Sequence, residues 1–109
     1  MDERKIAEEW REIELLMKVG KPNSLKESVI KADKLMDFAL MKIVDGTTMG
    51  ERLKNAKDRF GYVAYDKVWK AHKVRNAMAH EIDYDPPHFI TKEAVENFKE
   101  GFEDLGINL

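Results

Sequence analysis

The polar chemistry of this 109-residue chain is concentrated in one stretch, Trp69 to Glu81, which reads WKAHKVRNAMAHE. His72, Asn76 and His80 recur at i, i+4 and i+8, so on a helix they form one polar stripe. Imidazoles exchange protons near neutral pH, which makes His80 a candidate acid or base. Arg75 falls toward the border of the apolar side. From there its stem can lie on apolar surface while its fork reaches the edge. Trp69 projects onto the same polar side and is expected to contact a second copy of the chain. Other catalytic patterns are missing. No cysteine exists to act as nucleophile or zinc ligand, and no Gly-x4-Gly-Lys phosphate loop or Ser-His-Asp arrangement can be defended. Glu81, Asp83 and Asp85 alternate without the pattern of a calcium loop, and His72 and His80 lie too far apart for a helical zinc pair. Neither a metal nor a cofactor is expected.

Apolar spacing predicts five helices and no strand, an all-α fold. The first runs from about Asp2 to Val19 on Ile6, Trp10, Ile13 and Met17, and Gly20 and Pro22 end it. Ser24 and Glu27 have the spacing of a capping box for a second helix, whose Leu25, Val29, Ala32, Met36, Leu40 and Ile43 share a narrow sector. After Asp45-Gly46, Thr48 and Glu51 suggest another capping box for a short helix carrying Met49, Leu53, Ala56 and Phe60. The fourth is expected from about Tyr65 to Glu81, with Val68, Ala71, Val74, Met78 and Ile82 facing inward. Pro86 and Pro87 interrupt the chain, and Thr91 is expected to cap a last helix that buries Val95, Phe98 and Phe102. Short connections predict an antiparallel four-helix bundle with one additional short helix, forming a single domain over residues 1–109.

Composition supports a compact globular chain, with 43% hydrophobic and 37% charged residues. No apolar run is long enough to span a bilayer, and the start MDERKIAEEW is charged where a signal peptide would be apolar. A cytoplasmic address with no membrane partner is the expectation. The net charge of −2 conceals an asymmetry: residues 52–75 carry eight bases against two acids. A local anionic partner suits such a segment, whereas bulk coating of nucleic acid does not. Solvated helix faces rich in lysine would produce the same asymmetry.

Arg75-Asn76-Ala77-Met78-Ala79-His80 resembles the signature of the HEPN family: Arg, an adjacent polar residue, then His after a short gap near the end of a bundle helix. The similarity extends to chain length, helix count and the motif's place on the penultimate long helix. For catalytic members it implies metal-independent cleavage of single-stranded RNA by 2′-hydroxyl attack, often in a toxin or defence component held by an antitoxin or a neighbouring gene's product. Here the resemblance makes Arg75, Asn76 and His80 catalytic. Arg75 would bind the phosphate, Asn76 would position it and His80 would move a proton, while Lys70, Lys73, Arg59 and His72 would bind RNA. Residues five apart on a regular helix point about 140° away from each other, so Arg75 and His80 need either a distorted helix end or two chains. HEPN proteins resemble the second case, and a homodimer is the expectation. In the toxins paired with nucleotidyltransferase antitoxins the motif continues His-x-Tyr; Ile82 stands there in this chain, which departs from that subgroup.

Plainer roles compete for the same residues. Arg75 could pair with Asp33 or Asp37 on the second helix, His80 could complement its helix dipole, and His72 alone reads as a surface residue. A non-catalytic HEPN-like module binding a nucleotide or protein is the alternative function.

Overall fold

Helix ends and close approaches decide where the functional helix sits. The computed structural model describes residues 2–109 and contains five α-helices, with no strand among the described residues. They are α1 (Glu3–Val19), α2 (Pro22–Met41), α3 (Met49–Asn55), α4 (Tyr62–His80) and α5 (His88–Asp104), with a 3-10 turn at Lys57–Arg59 between α3 and α4. α2 packs against each of the other four, and the most extensive contact joins α4 to α5. None of the helices is long and apolar enough to cross a membrane.

The predicted apolar stripes converge on one core. Ile6, Trp10 and Ile13 of α1 meet Val29, Ala32, Met36 and Leu40 of α2, Leu53 of α3, Val68 and Ala71 of α4, and Val95, Phe98 and Phe102 of α5. Trp10 packs edge-on against Phe102 with ring centroids 5.6 Å apart. Each large side chain so enclosed contributes about 1.5–3 kcal/mol of transfer free energy. At Gly101 on α5, an added Cβ would lie 2.4 Å from Val68 Cγ2 and 2.9 Å from Met36 Cε, so a hydrogen there lets α4, α5 and α2 approach together.

Several helix ends differ from the expectation. α2 starts at Pro22, ahead of Ser24, with Lys21 as its N-cap and no side-chain cap. Proline at the first helical position has the right φ and lacks an orphan amide, so the Ser24–Glu27 box is bypassed. By contrast, Thr48 does cap α3, accepting from the Glu51 amide at 3.1 Å. Glu51 turns to Thr47, accepting from its amide at 2.7 Å and from its hydroxyl. α4 begins at Tyr62, three residues early, because Asp104 at the end of α5 accepts the Gly61 amide at 2.7 Å. α5 begins at His88 with Pro87 as N-cap, and Thr91 is buried one turn inside it, donating to the His88 carbonyl at 2.8 Å. Ile82 lies beyond the end of α4 and is 89% exposed, which removes it from the inward stripe.

Candidate functional site

α4 is regular as far as His80, and the Glu81 amide still donates to the Ala77 carbonyl at 2.9 Å. The helix end is therefore undistorted at His80, and the roughly 140° between Arg75 and His80 persists. On the face toward α2 the polar stripe meets a carboxylate. His72 Nδ1 lies 2.7 Å from Asp33 Oδ1, with the two residues 6% and 4% exposed. Asn76 Nδ2 lies 3.3 Å from His72 Nε2, and Arg75 Nη1 donates to Asn76 Oδ1 at 3.3 Å. Arg75 Nε returns to within 3.7 Å of Asp33 Oδ2, an ion-pair separation too long for a hydrogen bond, and this nitrogen is buried without a hydrogen-bond partner. Four side chains thus close a ring: Asp33, His72, Asn76, Arg75.

This ring corrects one expectation. His72 is enclosed, so it is neither a surface residue nor a contact for RNA; a carboxylate on α2 and the Trp69 ring, edge-on with centroids 5.9 Å apart, cover it. Trp69 also meets Tyr65 edge-on at 6.3 Å and is half-buried, which gives it a packing role within one chain. Of the two carboxylates considered for Arg75, Asp33 faces it. Asp37 instead receives Arg52 Nε at 2.6 Å and Nη2 at 2.9 Å, while Arg52 Nη1 reaches the Gly46 carbonyl at 2.6 Å. The Asp37 hydrogen bonds hold the Arg52 guanidinium above its ordinary pKa, with burial opposing.

Comparison with family models, curated proteins and solved structures returns no match for this chain.

The basic segment is partly neutralised in place. Lys67 pairs with Glu100 at 2.6 Å and Lys70 with Glu93 at 3.5 Å, both across the α4–α5 contact. Arg59 is exposed and donates to the Ile43 carbonyl at 3.4 Å. Lys54, Lys57, Arg59 and Lys73 are exposed with no ion-pair partner among the described residues, so they carry the segment's free positive charge. His80 is exposed in the last turn of α4, outside the ring. Arg75 keeps 35% of its side chain exposed. Asp33 is the residue whose role sequence reasoning missed: it was weighed only as a partner for Arg75. Its position four residues after Val29 and three before Met36 puts a carboxylate in an apolar sector, a signal that a buried polar partner faces it.

Proposed function

We propose that this chain is a HEPN-like, metal-independent endoribonuclease, an antiparallel helical bundle that acts on single-stranded RNA as a homodimer. One observation carries the reading: Arg75 is tethered at the border of α4 with 35% of its side chain exposed, and the exposed imidazole of His80 stands on the same regular helix facing another way. A single chain offers the two groups in different directions. Two copies related by a twofold axis would let Arg75 of one and His80 of the other address one phosphodiester.

In the proposed reaction the 2′-oxygen attacks the adjacent phosphorus, the P–O5′ bond breaks, and a 2′,3′-cyclic phosphate and a 5′-hydroxyl result. A proton leaves the 2′-hydroxyl and one is delivered to O5′. His80 performs one of these transfers. Arg75 offsets charge growing on the phosphoryl oxygens, and Asn76 orients the guanidinium through the Nη1 to Oδ1 hydrogen bond. Lys73, on the helix that carries the motif, adds a free charge for the RNA backbone.

Purified protein should cleave a single-stranded RNA in the presence of EDTA and leave cyclic-phosphate ends, and Arg75→Ala or His80→Ala should remove the cleavage. Unchanged cleavage in both variants would refute the reading. Growth arrest on expression, relieved by His80→Ala, would match a toxin held by an antitoxin. A second reading, a non-catalytic HEPN-like binding module, draws on the proximity of Asp33 to Arg75, which already offsets part of the guanidinium charge. It predicts RNA or nucleotide binding that Arg75→Ala weakens, with no cleaved product.

A further inference from the structure

Asp33 and His72 take no direct part in the proposed chemistry, yet they are among the most deeply buried polar groups of the chain. A buried polar link between two helices is costly to desolvate, and an apolar pair would join α2 and α4 at least as well. Hydrogen-bonding sense distinguishes this link from mere packing. A carboxylate can only accept, so His72 Nδ1 must carry the proton it shares with Asp33 Oδ1 at 2.7 Å. A guanidinium can only donate, so the Asn76 atom 3.3 Å from Arg75 Nη1 must be its oxygen. The Asn76 NH2 group then faces His72 Nε2, also at 3.3 Å, and that nitrogen must accept. Both ends of the chain have one sense, and only a neutral, Nδ1-protonated His72 satisfies every link between them. A doubly protonated ring would turn the Asn76 amide over and set its NH2 group against Arg75.

We infer that Asp33 and His72 are positioning residues of the ribonuclease site, fixing the Asn76 amide so that its oxygen holds Arg75 Nη1 and leaves the rest of the fork for phosphate. The functional half of this inference rests on the ribonuclease reading above; the orientation half does not. Glutamine at position 72 offers one donor and one acceptor, as the neutral ring does, whereas leucine fills similar space and offers neither.

Two sets of measurements test the inference. Nitrogen-15 shifts of the His72 ring in the full chain at pH 7.5 should identify the Nδ1–H form. Exchange of the Arg75 Nη1 hydrogens with water should be slower in the wild type and in His72→Gln than in His72→Leu. An Nε2–H ring, or equal exchange in all three proteins, would overturn the orientation. On single-stranded RNA, His72→Leu should lower kcat about tenfold to a hundredfold with KM within about twofold, and His72→Gln should stay within about threefold of wild type. Equal kcat in the Gln and Leu variants would overturn the positioning role, since a space-filling side chain would not separate them. A wild-type protein that has the Nδ1–H ring and the protected Arg75 Nη1 hydrogens, but cuts no RNA, would uphold the orientation and remove only the ribonuclease reading.

Discussion

Replacing Gly101 by alanine sets two well-defined effects against each other. Alanine is favoured over glycine inside a helix by about 1 kcal/mol, so an exposed site would gain stability. Gly101 is buried, and its new Cβ would stand 2.4 Å from Val68 Cγ2 and 2.9 Å from Met36 Cε. The methionine end can swing away, since its chain has three rotatable bonds. Val68 cannot, because a β-branched side chain on a helix has one strongly preferred rotamer. Relief must therefore come from separating α4 from α5, at about 1–3 kcal/mol for overpacking of this kind. The net expectation for Gly101→Ala is a loss of up to about 2 kcal/mol, or a melting midpoint lowered by up to roughly 10 °C for a domain of this size. The shift of α4 should also disturb Asp33 and His72, whose 2.7 Å link spans α2 and α4 one turn beyond Val68. Thermal unfolding followed by circular dichroism measures the first effect, and the His72 ring nitrogen shifts report the second. Adding Val68→Ala to Gly101→Ala should restore part of the loss, because the clashing methyl is gone. A Gly101→Ala protein at least as stable as wild type would refute the reasoning.

Arg52→Lys removes a two-pronged hydrogen bond to Asp37 and the link to the Gly46 carbonyl; a lower melting midpoint is expected, with faster amide exchange at residues 45–48, and unchanged exchange would count against it. Glu51 is held below the ordinary carboxylate value of 4.5 by its hydrogen bonds from the Thr47 side chain and backbone. A group whose folded pKa is lowered stabilises above its unfolded value, and the benefit disappears as pH falls through the folded one. Protection factors of amides at the start of α3, corrected for intrinsic exchange, should therefore decline as pH falls below 4.5, and Glu51→Gln should flatten that dependence. For RNA binding, Lys73→Ala should reduce the slope of log affinity against log salt by about 1, and Lys70→Ala should reduce it less because Lys70 already faces Glu93.

Much of this fold is legible in local sequence. The stripes of α1, α2 and α5 depend only on apolar residues repeating with the helical period, and they bury the expected side chains except Met17 and Ile43, which are half-buried, Ile43 lying past the end of α2. Helix starts are less legible. α4 gains a turn because its N-cap amide, Gly61, is answered from Asp104, 43 residues away, and Ser24 loses the capping role to Pro22, two residues before it. Thr91 looked like a cap because hydroxyls favour that position, yet the chain had already turned helical at His88. The candidate site shows the same division. Spacing aligned His72 with Asn76, while the burial of His72 follows from a carboxylate on another helix, 39 residues away. A histidine beside lysines reads as solvated until its distant partner is known.

Subunit mixing addresses the shared phosphate most directly. Arg75→Ala and His80→Ala chains, each inactive alone, should recover activity when co-expressed in equal amounts. If Arg75 of one copy works with His80 of the other, random pairing restores about a quarter of wild-type RNA cleavage, since about half the dimers are mixed and each has one intact site of two. A mixture as inactive as the separate variants would contradict a site shared between two chains.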